Sequence, residues 1–213
     1  MSEKKGILMV LTGPSGSGKG TMLGEYRKDH DVYFSISNTT RAPRPGEVNG
    51  VHYHFISKED FEERIAQGRM LEYAQYCGNY YGTPRDKAEE QMNLGRSVIL
   101  EIEVQGAMQV RKNCPEAVLT FIVPPSMAVL RERLIGRGTE DMATVEKRLA
   151  KAVDEIRCAD RFDYLVINDS LDAAVRAFAD IMDACEKGDE ARLAALREKT
   201  ARLKEQVARE FLG

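Results

Sequence analysis

The chain has 213 residues, 43% of them hydrophobic and 31% charged, which suits one well-buried α/β domain with small insertions and is too short for two large ones. A formal net charge of −3 excludes a bulk nucleic-acid binder held by phosphate contacts, so arginines that handle an anion must be gathered locally. The four cysteines, Cys77, Cys114, Cys158 and Cys185, have neither metal-clip nor redox spacing; free thiols in a reducing compartment are expected, with no zinc site and no disulfide framework.

In chain order, the N-terminal residues 1–6 are short and polar, and the apolar run 7–11 is too short for a signal-peptide core or a membrane span. A cytoplasmic protein is therefore expected. The same run reads as a strand buried on both faces, as in a parallel sheet. It leads directly into Gly13, Pro14, Ser15, Gly16, Ser17, Gly18, Lys19 and Gly20, and then into a predicted helix over 21–28. Glycines let backbone N–H groups turn inward around an anion, and the helix start adds the positive end of its dipole. Lys19 is placed to reach the β- and γ-phosphates of a nucleoside triphosphate. The residue after Lys19 is Gly20, with Thr21 next, where the general pattern has Ser or Thr. Thr21 is therefore not assigned as a direct Mg²⁺ ligand.

From 35 to 95 the character changes to turn-rich sequence with short alternating segments, a pattern of antiparallel hairpins. Arg41 and Arg44 lie three residues apart around a proline turn and can aim two planar donor forks at one phosphate. Tyr53 can add a hydroxyl. By spacing alone, a solvated basic turn fits the same residues, and Glu72 by position alone reads as a solvated strand carboxylate. Strand–helix alternation then resumes. Strands are predicted at 97–100, 118–123 and 164–167 and helices at 104–112, 126–135 and 171–187, giving a parallel sheet with helices on both faces. Glu101 and Glu103 sit two apart at the C-terminal end of a buried strand, the edge where open α/β sheets bind ligands. An arginine-rich insertion occupies 131–148. In the tail, Leu196, Leu203, Val207 and Phe211 form one helical stripe. It fits either a terminal helix packed on its own domain or a homo-oligomer contact. His30, His52 and His54 are read as surface or structural residues.

The run Thr-Thr-Arg-x-x-Arg-x-x-Glu-x-x-Gly-x-x-Tyr-x-Phe from Thr39 to Phe55 resembles the signature of the guanylate kinases. The likeness continues through residues 78–83, Gln105 and Gly106, 136–139, and 166–169, covering about 7–187. The resemblance implies a P-loop α/β fold with an inserted small antiparallel GMP-binding domain and a mobile lid. It implies Mg²⁺-dependent phosphoryl transfer from ATP to GMP or dGMP, with Mg²⁺ held mainly by phosphates and water. By the same likeness, Arg41, Arg44, Tyr53 and Tyr81 clamp the GMP phosphate, and Ser37, Glu72 and Thr83 surround the guanine. One carboxylate can accept from both N1–H and N2–H of guanine, whereas adenine would leave it unpaired. The family often has aspartates where Glu101 and Glu103 stand, so the resemblance implies a retained acidic role with a longer side chain, either through ordered water and Mg²⁺ or on the GMP side of the cleft.

Residues 13–21 with Arg133, Arg137 and Asn168 are implied for ATP. The charges expected around the transferring group are Lys19, Arg44, Arg137 and Arg148. Arg133 by spacing also suits helix-surface ion pairs. The corresponding division is core 1–34, GMP-binding domain 35–95, core 96–125, lid 126–156, core 157–188 and helical extension 189–213. The partners implied are the small molecules ATP and GMP, with no nucleic acid and no membrane. The rival reading is a guanylate-kinase-like binding module without catalysis, in which the loop and lid cations are typically degraded; here Lys19 and the arginines are present.

Overall fold

The computed structural model describes residues 5–136 and 142–213. Strands β1 (Leu8–Thr12), β2 (Tyr33–Phe34), β7 (Val98–Glu101), β8 (Val118–Val123) and β9 (Tyr164–Ile167) form a five-stranded sheet in the order β2-β7-β1-β8-β9. The β2–β7 and β8–β9 pairs are parallel. β1 is buried along its whole length, as a strand covered on both faces must be. The chain divides into two compact units. One takes in the described residues up to Val10 together with Asp31–Val118, and the other Leu11–His30 with the described residues of Leu119–Gly213. Residues 96–118, placed with the core in the sequence reading, thus group with the inserted segment.

The first unit also holds a four-stranded sheet in the order β4-β3-β6-β5, built from β3 (Asn38–Thr39), β4 (His54–Phe55), β5 (Met70–Tyr76) and β6 (Asn79–Pro84). The β5–β6 hairpin closes through Cys77 and Gly78, both at positive φ (48° and 79°), the geometry that matches strand twist in two-residue turns. The antiparallel expectation holds for β3–β6 and β5–β6 but not for β4. β4 pairs parallel with β3, Asn38 opposite His54, because it arrives by the long 40–53 loop and not through a tight turn.

Two helices also lie where only hairpins were expected, α2 (Lys58–Ala66) and α3 (Arg85–Asn93). Ser57 caps α2, its hydroxyl accepting from the Asp60 N–H at 3.0 Å, a start signal readable as Ser-x-x-Asp. Helix α4 (Val104–Asn113) follows β7 and packs on β5.

In the second unit, α1 (Lys19–Tyr26) follows the glycine-rich loop. α5 (Met127–Ile135) and α6 (Met142–Ile156) pack through Leu130, Leu134, Val145, Leu149 and Ala152. α7 (Leu171–Lys187) packs on α1 and β9, and α8 (Glu190–Leu212) on β9, α7 and α6. β9 is the edge strand on this side, and α8 closes it. The Thr200 hydroxyl accepts from the Leu165 N–H at 3.4 Å, and Lys204 donates to the Phe162 and Asp160 carbonyls at 2.8 and 3.0 Å. The tail stripe is Leu193, Leu196, Thr200, Val207 and Phe211. It is buried within this unit, with Leu203 only half-buried.

Candidate active site

In the first unit, a cavity of about 420 Å³ is lined by Ser37, Tyr53, Glu72, Tyr81, Glu101 and Glu103, among others. That size suits a drug-sized or nucleotide ligand. Its deepest charged group is Glu72, only 7% exposed. A register irregularity between Met70 and Glu72 re-aims β5 so that Glu72 faces Thr83 of β6. The Thr83 hydroxyl donates to Glu72 Oε1 at 2.7 Å. The other oxygen, Oε2, lies 2.8 Å from where a β-carbon on Gly106 would stand. Glycine at the start of α4 leaves room for the carboxylate where it stands; any larger residue would push it aside. Burial pushes the Glu72 carboxyl above its ordinary value, opposed by the hydrogen bonds from Thr83. Glu72 is thus a buried carboxylate on the cavity wall, with one oxygen held by a hydroxyl, a group able to accept from N–H donors. Glu101 and Glu103 are exposed at the cavity rim.

The basic turn is organised by a residue to which the sequence reading gave no role. Glu47 accepts from Arg41 Nη1 and Nη2, each at 2.9 Å, and from the Arg44 N–H at 2.7 Å. This pairing pulls the Glu47 carboxyl down to about 2, with the Arg41 bonds the largest cause. Arg41 also donates to the Ala42 carbonyl at 2.7 Å and stacks 5.6 Å from the Tyr53 ring centre. Three of its five N–H groups are thereby engaged. Arg44 is exposed. Tyr53 and Tyr81 meet edge to face at 5.9 Å. Of the expected phosphate clamp, the structure brings Arg41, Tyr53 and Tyr81 together.

In the second unit, the glycine-rich loop carries the features of an anion cradle. Gly18, at φ 87°, precedes α1, and no side chain caps that helix, which leaves its first N–H groups facing the loop. Two close approaches hold the cradle. A β-carbon at Gly13 would lie 2.1 Å from the Ile122 carbonyl oxygen, and one at Gly18 would lie 2.3 Å from Asn168 Nδ2. Asn168, expected at the ATP site, is buried and donates to the Ser17 carbonyl at 2.8 Å; its own carbonyl accepts from Arg133 Nη2 at 2.9 Å. It ties β9 and α5 to the loop. Arg133 is half-buried, and its bond to that carbonyl links α5 to the end of β9. Lys19 Nζ donates to the Gly13 carbonyl and, at 3.2 Å, to Pro14. Ser15, Gly20 and Thr21 are exposed.

The family profile described as guanylate kinase matches residues 5–185. The chain belongs to the guanylate kinase family. It is 52% identical over 184 residues to a guanylate kinase of Latilactobacillus sakei, covering 85% of this chain and 91% of that protein. It is 55% identical over 171 residues to one of Gloeobacter violaceus, covering 80% and 83%. The crystal structure of guanylate kinase from Anaplasma phagocytophilum superposes with a TM-score of 0.64 at 32% identity, covering 86% of this chain and 88% of that one. α8 lies beyond the guanylate kinase match.

Arg148 is half-buried on α6; Arg137 lies outside the described residues. Among the described residues, no group of three His, Cys, Asp or Glu side chains is arranged to hold a metal. His30 stacks on Tyr26 at 4.0 Å and His52 accepts from the Val48 N–H at 3.1 Å, both structural uses. The four cysteines are free thiols, and among the described residues no helix is long and apolar enough to cross a membrane.

Proposed function

We propose that the chain is an ATP:GMP phosphotransferase acting in the cytoplasm on guanine nucleotides, and that Glu72 is the residue that reads the base. The observation that carries this is the buried carboxylate: one oxygen accepts from Thr83, the other lies against Gly106, and both border the cavity that Ser37, Tyr53 and Tyr81 also line. Guanine offers N1–H and N2–H side by side. Adenine offers neither at those positions and would leave Glu72 buried and unpaired, a mismatch that sites of this kind reject by ~10⁴ or more.

Arg41, held by Glu47, and Arg44 take the GMP phosphate with the hydroxyls of Tyr53 and Tyr81. The loop from Gly13 to Gly20 and the start of α1 hold the β- and γ-phosphates of ATP. Lys19 exchanges its loop carbonyls for phosphate oxygens. Asn168 and Arg133 keep the cradle in shape, and Arg137 and Arg148 supply lid charge. Mg²⁺ bound with the ATP phosphates would supply further charge neutralisation. Positioning and electrostatics carry the reaction, as phosphoryl transfer requires. The acceptor oxygen is already ionised, so no general base and no phosphoenzyme are needed. The intact cradle and Lys19 support catalysis over a binding module.

The test is competition among GMP, AMP and UMP as acceptors, repeated with Glu72→Gln. Turnover confined to GMP and sharply reduced in the variant is expected. Equal use of another monophosphate would overturn the base assignment.

A further inference from the structure

β5 is the outermost strand of the small sheet, so one edge of its backbone has no strand partner, and an open edge is a soft place to mount a specificity group. Helix α4 supplies the missing partner with side-chain amides. Gln109 Oε1 accepts from the Tyr73 N–H at 3.1 Å, and its Nε2 donates to the Tyr73 carbonyl at 2.8 Å. This reproduces both bonds of a neighbouring strand. One turn on, Asn113 Nδ2 donates to the Leu71 carbonyl at 2.9 Å. Leu71 and Tyr73 flank Glu72, so the backbone on either side of the carboxylate is pinned to one helix. The same helix contributes Gly106, whose missing side chain makes room for Glu72 Oε2. Positions 106, 109 and 113 share one helical face.

We propose that α4 is the positioning element for the base-reading carboxylate, with Gln109 as its principal positioning residue and Asn113 in support. The proposal rests on the reading of Glu72 given above. Gln109 acts through β5 and Glu72, fixing how far the carboxylate stands from the N–H pair of the base. Small misplacements of a recognition group are costly, and loss of this clamp should show in acceptor recognition and not in ATP use.

The experiment is a double-mutant cycle on steady-state kinetics with Gln109→Met, Glu72→Gln and the double variant. Methionine keeps the length of glutamine and removes both hydrogen bonds, while water can solvate the exposed Tyr73 backbone. The expected result is a rise in the KM for GMP of about tenfold and reduced GMP over AMP discrimination, with the KM for ATP unchanged. In the Glu72→Gln background the same substitution should change the KM for GMP less than twofold. Asn113→Ala should act in the same direction more weakly, and it serves as the reporter if Gln109→Met does not fold. An unchanged KM for GMP, equal losses for both nucleotides, or a full additional loss in the Glu72→Gln background would overturn the proposal. If Glu72→Gln itself leaves GMP recognition intact, it is the assignment of Glu72 that fails.

Discussion

Replacing Gly106 with alanine adds one carbon 2.8 Å from Glu72 Oε2, 3.2 Å from Cδ and 3.4 Å from Cγ. The nearest contact is the far end of a flexible side chain, so the carboxylate can retreat by roughly half an ångström without moving the backbone. Stability should therefore change little. Alanine inside a helix is worth about 0.5–1 kcal/mol over glycine, which offsets the crowding. The cost falls on recognition. A displaced carboxylate loses alignment with at least one base N–H, and a charge-assisted hydrogen bond contributes about 1.5–3 kcal/mol. The expected fall in kcat/KM for GMP is roughly 10- to 150-fold, with the KM for ATP unchanged. Coupled ADP-release kinetics at varied GMP and at varied ATP, beside a thermal melt, measure each part. A Gly106→Ala enzyme with wild-type GMP kinetics would refute the reasoning, and so would one whose only defect is a large drop in melting temperature.

The raised Glu72 carboxyl gives a pH signature. A group whose folded pKa is raised adds stability below its unfolded pKa and loses it as pH rises through the folded value. Glu72→Gln should therefore melt higher than wild type at pH 7 to 8, with the gap closing below about pH 4, as scanning calorimetry across pH would show. Asn168→Ala removes the bond to the Ser17 carbonyl and should raise the KM for ATP about tenfold while leaving the KM for GMP within twofold, since a mispositioned loop costs on that scale. Glu47→Gln weakens the hold on both Arg41 and the Arg44 backbone; the KM for GMP should rise several-fold, with a steeper dependence on salt, read by kinetics at 50 and 300 mM KCl. Thr200→Val leaves the buried Leu165 N–H without its acceptor and should cost about 1–3 kcal/mol in denaturant unfolding, with activity per folded molecule unchanged.

Periodicity and loop chemistry made the parallel sheet and its crossover helices legible. Runs such as 118–123 are short and continuously apolar, which reads as covered strand and is strand β8 here, and the glycine-rich loop announces its own geometry. The small sheet was harder to read. Parallel pairing of β3 with β4 depends on where a long loop lands, which no local pattern encodes, and α2 was hidden by its polar surface although Ser57 marks its start. At the site, residue types pointed to the arginines, to Glu72 and to the loop. What could not be read were the supporting contacts: Glu47 on Arg41, Gly106 under Glu72, Gln109 on the β5 edge and Asn168 on the Ser17 carbonyl. Each joins segments distant in sequence or depends on a side chain turning back on its own turn. A Gln on a helix or a Gly at its start carries no signal of such a partner until the chain is folded.

The most direct test of the account is ³¹P NMR of the purified chain with ATP, Mg²⁺ and one monophosphate at a time. GDP and ADP should appear in equal amounts with GMP, and no diphosphate should form from AMP or UMP. ADP accumulating with free phosphate regardless of GMP, or UDP forming as readily as GDP, would contradict it.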